Sequence, residues 1–164
     1  MELKEFLNLK VEEYNNINFI EDDPVKIPHL FNKKEDIEIS GFLTSTIAWG
    51  NRKSIINSSL RMMKLMENDP YNFIMNHSEK DLKNLLKFVH RTFNGYDFAQ
   101  FIRSLKHIYK NHGGLEELFS KKIKNQSMHN SIHEFKKSFF EIKHTNRTKK
   151  HISDPFKGSA SKRI

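Results

Sequence analysis

Cations dominate the final stretch of this sequence and are its best candidates for binding chemistry. Residues 144–164 contain six Lys or Arg and a single acidic residue. Lys157 and Ser159 flank a flexible glycine where a new helix can begin, and Lys162 and Arg163 follow within about one turn. Cations oppose the positive end of a helix dipole unless an anion lies between them. The pattern predicts a phosphate site at this helix start, and the alternative is a screened, solvent-exposed helix end.

A second candidate surrounds the only Trp of the chain. Trp49-Gly50-Asn51-Arg52-Lys53 combines an aromatic ring, a polar amide and two cations at a bend between two predicted helices. An aromatic face and an Arg both suit contact with a nucleic-acid base or sugar-phosphate backbone. A half-buried Trp that closes the bend by packing is the alternative, because large aromatic side chains usually serve the core.

The histidines do not form a recognisable catalytic or metal pattern. His129 and His133 lie four residues apart on a predicted helix, but Glu134 is not placed as in HExxH. We interpret the pair as surface histidines. His90 and His107 belong to no recognisable triad, and neither a GxSxG motif nor a paired-carboxylate pattern is present. Residue types alone therefore predict no metal, no cofactor and no particular enzyme.

Helical spacing of apolar residues runs through most of the chain and predicts an all-α fold of about eight helices. No segment alternates with period two, so no sheet is predicted. Asp69-Pro70, Ser78 and Asn94-Gly95 are typical helix starts, and Gly113-Gly114 is a typical helix end. The predicted helices cover roughly residues 3–14, 34–47, 52–66, 70–75, 79–89, 95–112, 115–123 and 128–142, with a further start near Ser159.

Charge is distributed unevenly along the 164 residues. The formal net charge is +8, yet residues 1–40 contain 5 Lys or Arg against 10 Asp or Glu. The basic later part suggests a polyanionic partner, with nucleic acid the commonest, although a solvated basic surface is equally compatible with charge alone. No apolar run is long enough to span a membrane, no signal peptide begins the chain, and Cys is absent. A cytoplasmic location is the prediction.

Several long motifs resemble an uncharacterised bacterial family classed as a domain of unknown function. They are EDDPVKIPHLF, FLTSTIAWGNRKSI, FVHRTFNGYDFAQFI, YKNHGGLEELF and SDPFKGSASKRI. The helix from Phe42 to Ile47, the polar bend and the helix from Arg52 are also distantly similar to helix-hairpin-helix DNA glycosylases. That resemblance implies an orthogonal helical bundle that binds DNA and flips out a base. Its catalytic aspartate would lie beyond Ile164, so no catalytic residue is assigned.

These observations lead to one prediction with one alternative. Residues 1–143 should form a helical domain, and residues 144–164 a basic loop and helix start that continue in a longer protein. The domain should bind nucleic acid, with DNA favoured, within a glycosylase-like repair protein, and any hydrolase or lyase chemistry would lie outside this chain. The alternative is a non-enzymatic helical interaction module that binds RNA or an acidic protein. The predicted phosphate contacts are Arg52, Lys53, Lys149, Lys150, Lys157, Ser159, Lys162 and Arg163.

Overall fold

A computed structural model describes residues 2–120 and 128–164, and these residues are mainly helical. The all-α prediction is confirmed. The elements are α1 (Leu3–Tyr14), α2 (Ile17–Glu21), 3-10 helices Pro24–Lys26 and Pro28–Leu30, α3 (Lys34–Ile47), α4 (Arg52–Leu65), α5 (Pro70–Asn76), α6 (Glu79–Leu85), β1 (Val89–His90), β2 (Phe93–Asn94), α7 (Gly95–Asn111), α8 (Leu115–Ser120), α9 (Met128–Phe139) and 3-10 helices Thr148–His151 and Pro155–Lys157.

Side-chain caps explain why several helices begin where the sequence predicts. The Asn51 side chain accepts a hydrogen bond from the Ser54 amide at 3.1 Å and starts α4. Ser78 and Asp81 form a reciprocal capping box at α6. Asn94 starts α7 in the same way. Each cap satisfies amide groups that the first helical turn leaves without a partner, so these starts follow from local chemistry.

Phenylalanine rings fill the centre of the core, where α7 and α9 meet. Phe101 and Phe139 are fully buried with ring centroids 4.8 Å apart, and Phe93 lies 5.2 Å from Phe101. Each such side chain contributes about 1.5–3 kcal/mol through burial. Phe42, predicted to face the core from α3, is partly buried and stacks on Phe101. The core thus fixes the middle of α7 relative to α9.

A short β-hairpin corrects the prediction that the chain contains no strand. Val89 pairs with Asn94 and His90 with Phe93 in antiparallel register, leaving Arg91 and Thr92 as the loop. Two residues in each strand are too few to show the alternation by which strands are recognised. The hairpin matters because its loop projects a cation next to Trp49.

The apolar face of α1 remains open to solvent. The structure places none of its residues in the core, and Leu3, Leu7 and Val11 are all more than half exposed. The helix is therefore predicted correctly, and its apolar face contributes no residue to the core. Within the described ranges, no helix has the length and apolar content needed to cross a membrane.

The basic segment 144–164 lies against α7 and α9 instead of forming a separate loop. Thr148 and Ile152 are buried, and two short 3-10 helices shape its course. Within the described residues, the predicted helix at Ser159 does not form. Ser161 has φ +46°, which a right-handed helix cannot accommodate. The described residues therefore show no helix start beside Lys157, Ser159, Lys162 and Arg163, and phosphate binding by these residues stays a prediction.

Candidate nucleic-acid interface

Trp49 lies at the end of α3, half-buried, with two guanidinium groups beside its ring. The Arg91 Cζ atom is 4.2 Å from the ring centroid, and the Arg163 Cζ atom is 5.9 Å from it. Both distances are within the range of a cation–π interaction. The half-buried ring therefore lies beside cations from two distant parts of the chain.

The hairpin loop brings Arg91 to this ring in an unusual backbone conformation. Arg91 has φ +54° at the first loop position, where a two-residue turn of the II′ kind favours glycine. Its guanidinium also occupies the space beside Gly50, since a Cβ on that glycine would come within 2.8 Å of Arg91 Nη1. The buried His90 ring joins the hairpin to α4 through a 2.8 Å contact between Nδ1 and Ser58 Oγ. The position of Arg91 is thus fixed by the contacts of its side chain with Gly50 and Trp49 and by the hairpin turn that holds its backbone.

A buried carboxylate at the start of α7 anchors the basic segment. Arg147 donates to Asp97 Oδ2 from Nε at 3.2 Å and from Nη2 at 3.1 Å, and also to the Thr92 carbonyl at 2.6 Å. Thr148 donates its hydroxyl to Asp97 Oδ1 at 3.0 Å. The same carboxylate accepts the Asn94 amide in the capping box of α7. One side chain therefore ties together the helix start, the hairpin and the basic segment.

These contacts decide the ionisation of Asp97. Burial alone would raise the pKa of this carboxyl group, but hydrogen bonds from Asn94, Arg147 and Thr148 outweigh burial and lower its pKa from the ordinary value of an aspartate. His151 Nε2 lies 3.2 Å from Asp97 Oδ2, although without hydrogen-bond geometry. Burial lowers the pKa of His151 despite the attraction of this carboxylate. Both oxygens of the ionised Asp97 side chain already accept hydrogen bonds that hold the basic segment, so Asp97 is a poor candidate for a nucleophile or general base.

A second anchor holds the end of the segment on α9. Asp154 is buried and accepts from the Phe156 amide at 3.1 Å, while His133 Nδ1 lies 3.0 Å from its carboxylate. The Phe156 ring packs on both His129 and His133. Lys136 donates to the Ile152 carbonyl at 2.6 Å. Both histidines thus contact the basic segment, and they do so from the surface, since His129 is exposed and His133 is partly buried.

Two adjoining cavities open at Trp49. The smaller, of about 210 Å³, is lined by Thr46, Trp49, Thr92, Lys150, His151 and Arg163. The larger, of about 570 Å³, is lined by Ala48, Trp49, Ser153, Ser159, Ala160, Ser161, Lys162 and Arg163. Among the described residues that line them, none is acidic. We use the term Trp49 surface for Trp49, Arg91, Lys150, Lys162 and Arg163.

The structure brings together only part of the predicted set of phosphate contacts. Four of them line the two cavities: Lys150, Ser159, Lys162 and Arg163. Lys53 lines a separate cavity along α4, and Lys149 and Lys157 are exposed on the part of the segment that faces Lys136. Arg52 is near Asp23, with 3.6 Å between Nε and Oδ2, and lies over the Phe19 ring. Its visible contacts are with the N-terminal elements.

Sequence reasoning missed three residues that organise this site. Arg91 was overlooked because a positive φ at an arginine cannot be read from the sequence. The pairing of Asp97 with Arg147 joins residues 50 positions apart, and no local pattern indicates it. The available signal was the capping box: Asn94 followed by Asp97 marks a carboxylate at the start of α7.

Comparison with known proteins gives a family but no activity. The family described as "Protein of unknown function (DUF2400)" matches residues 23–164, a range that contains every residue of the Trp49 surface. No curated protein and no solved structure is significantly similar to the chain.

Proposed function

We propose that this chain, which belongs to the DUF2400 family of unknown function, is a nucleic-acid-binding domain. It contacts DNA through the Trp49 surface. The observation that carries this proposal is a half-buried aromatic ring flanked by two guanidinium groups, beside cavities whose described lining includes Lys and Arg but no acidic residue. An aromatic ring offers a stacking face to any base, and cations around it attract phosphates.

The two parts of the surface suit different parts of a DNA strand. Lys150, Lys162 and Arg163 come from the basic segment, are exposed, and can follow the phosphate backbone. Trp49 is the only Phe, Tyr or Trp side chain that lines the two cavities within the described residues, and we propose that it stacks on one unpaired base. The buried Ser161 hydroxyl at the larger cavity has no hydrogen-bond partner among the described residues, and a small shift would let it donate to a phosphate oxygen. Single-stranded DNA, or a duplex with an extruded base, therefore fits better than a fully stacked duplex.

A role in base excision is the finer part of the proposal. It is supported by the resemblance of the α3–α4 hairpin to helix-hairpin-helix DNA glycosylases and by the suitability of Trp49 for an extruded base. Asp97 is already occupied by Arg147 and Thr148, so it does not supply the catalytic carboxylate. We expect this chain to bind a damaged duplex without cleaving it. Cleavage by this chain alone would show that residues within it supply the catalysis.

The decisive experiment measures the affinity for short single-stranded and duplex DNA between about 50 and 200 mM salt. The variant Lys150→Glu/Lys162→Glu/Arg163→Glu removes three predicted phosphate contacts. Loss of three contacts should reduce the slope of log affinity against log salt by about 2 for a single strand. Equal binding by the variant and the unchanged protein would refute the proposal.

The matched control reverses three exposed lysines on a different part of the protein. Lys64→Glu/Lys80→Glu/Lys83→Glu changes the net charge equally but leaves the Trp49 surface intact. It should keep the salt slope. If both triple variants weaken binding alike, the protein responds to total charge alone. Tight binding to RNA or to an acidic peptide, with none to DNA, would instead favour the interaction-module alternative.

Intrinsic fluorescence provides an independent measurement because the chain has one Trp. A base stacked on Trp49 should quench its emission during a DNA titration. Trp49→Ala should weaken binding by about tenfold, since base stacking on an aromatic side chain contributes about 1–3 kcal/mol. DNA binding that leaves the emission unchanged would place the interface elsewhere on the protein.

A further inference from the structure

Three potential metal ligands converge at the opposite end of α7 from Asp97. His107 Nε2 lies 2.8 Å from Glu141 Oε2, His112 Nε2 lies 3.2 Å from the same oxygen, and the two Nε2 atoms are 3.4 Å apart. Within the part of the chain that the structure describes, this is the one group of His, Cys, Asp or Glu with such convergence. Both histidine side chains are about three-quarters buried and Glu141 is about half exposed.

The size of this triangle matches the demands of a small divalent cation. A tetrahedral Zn²⁺ binds His nitrogen and carboxylate oxygen at about 2.0–2.2 Å, which places two of its ligand atoms about 3.3 Å apart. The observed separations of 2.8, 3.2 and 3.4 Å lie close to that value. An ion bonded equally to all three atoms at about 2.05 Å would lie about 0.9 Å outside their plane. Only the shortest edge of the triangle has to widen, by about 0.5 Å.

The fold explains why these atoms meet. His107 lies in the last turns of α7, and His112 follows the final residue of that helix. Gly113 and Gly114 both have positive φ and turn the chain away, which keeps the His112 ring beside His107 with centroids 5.2 Å apart. Glu141 is two residues beyond α9, which packs on α7 through the phenylalanine core. The rigid core therefore fixes the separation of the two ligand-bearing segments.

Asn111 contacts the ring nitrogen of His107 that faces away from the proposed ion. Its Nδ2 atom lies 3.0 Å from His107 Nδ1 and also donates to the His107 carbonyl oxygen at 3.1 Å. A metal ion on Nε2 requires the proton of neutral imidazole to reside on Nδ1, so the Asn111 side chain would have to turn away from Nδ1 when an ion binds.

We propose that His107, His112 and Glu141 form a binding site for one divalent first-row transition-metal ion, with Zn²⁺ the expected occupant. Two imidazoles and one carboxylate are the ligand types that suit such ions, and one or more waters would complete the coordination. The ion would join the end of α7 to the segment after α9. The site is separate from the Trp49 surface, since Asp97 and His107 are ten residues apart along α7, a rise of about 15 Å.

The sequence prediction of no metal site overlooked this arrangement for a clear reason. His107 and His112 are five residues apart, which is not a spacing that shares a helix face. They meet because the helix ends at Asn111. Glu141 lies 29 residues after His112 and is brought close only by tertiary packing.

The test measures Zn²⁺ and Co²⁺ binding to the metal-free chain, without an affinity tag, by calorimetry and by Co²⁺ absorption. We expect one site per chain, with affinity reduced at least tenfold in His112→Ala and in the milder variant Glu141→Gln. His129→Ala is the matched control, because it removes an imidazole from the His129/His133 pair, whose i,i+4 spacing is the obvious competing site. This control should keep the affinity.

Thermal unfolding adds a reading that does not depend on counting sites. Zn²⁺ at about one hundred times its Kd should raise the Tm of the unchanged chain by about 5–10 °C. The rise should disappear in Glu141→Gln, whose circular dichroism should show an unchanged helical fold. Absence of Zn²⁺ uptake by the unchanged chain would overturn the proposal. So would loss of binding in His129→Ala together with full binding by His112→Ala and Glu141→Gln.

Discussion

Replacing Asp97 with alanine should destabilise the domain and release its basic segment at the same time. The change removes the acceptor of Arg147 and one of the two partners of the buried Thr148 hydroxyl, which keeps its contact with the Thr145 hydroxyl at 3.0 Å. The loss of one such hydrogen bond costs about 0.5–1.5 kcal/mol. Breaking a fully buried ion pair costs about 3–5 kcal/mol, and less here because the Arg147 side chain is 46% exposed. Together with about 1 kcal/mol for the lost cap, we expect a destabilisation of about 4 kcal/mol.

Urea unfolding measures this loss directly. The free energy of unfolding falls by about 2 kcal/mol per molar urea for a protein of this size, so a loss of about 4 kcal/mol lowers the urea midpoint of unfolding by about 2 M. The isosteric variant Asp97→Asn keeps a hydrogen-bond acceptor for Asn94 or Thr148 and loses only the charge, so about half of the effect should remain. DNA affinity should fall in both variants, because Lys150 and His151 lie only two and three residues after the anchored Thr148.

Asp81 provides the control because it has the same local role in another helix. Both carboxylates complete a capping box at the third residue of a helix, but the hydrogen bonds of Asp81 reach only Ser78. Asp81→Ala should be much less destabilising and should leave DNA binding unchanged. If Asp97→Ala costs no more than Asp81→Ala, the long-range anchor is not important and the explanation of the basic segment is wrong.

Three further results are expected from titration and from backbone changes. The free energy of unfolding should decrease as the pH falls below about 6.5. Burial lowers the pKa of His90 and of His151 in the folded state, so the unfolded chain binds more protons in this range. Urea midpoints measured across pH check this expectation. Arg91→Gly should leave the free energy of unfolding within about 1 kcal/mol, since relief of the left-handed backbone offsets the lost ring contact, yet DNA affinity should drop. Gly95→Ala should destabilise the protein by about 3 kcal/mol or more in thermal unfolding, because the new Cβ would lie 2.3 Å from the backbone that follows α6. Gly41→Ala in α3 is the comparison, since its Cβ has room and the change should stabilise the protein slightly.

The parts of the fold that depend on neighbouring residues were predictable. Asn51, Ser78 and Asn94 start helices by capping amides two or three residues ahead, so their sequence context is enough. Asp69 shows the limit of that reasoning, because it precedes Pro70 as predicted but its side chain makes no capping bond. The helix type and start follow from propensity and proline, while the exact hydrogen bond depends on tertiary surroundings.

The candidate sites depend on contacts between distant segments, which is why sequence reasoning found only fragments of them. Trp49 and Arg163 were each identified as binding candidates, but nothing in their spacing shows that they lie 5.9 Å apart. Their proximity results from the anchoring of the basic segment at Asp97 and at Asp154. The same limit applies to Glu141 and His112. In each case the phenylalanine core provides the geometry, and the core was predicted only as a set of helix faces.

Asp97 is better explained by positioning than by stability. A buried ion pair is weak evidence for stability, since desolvation of both charges cancels much of their attraction and apolar replacements are often as stable. A hydrophobic contact, however, would allow several arrangements of the segment after α9, whereas Arg147 can reach Asp97 and the Thr92 carbonyl together in few geometries. That restriction fixes the course of Lys150 and His151 relative to Trp49. A basic segment that served only solubility would gain nothing from such an anchor, so the anchor itself favours the proposal that these cations act at a defined place.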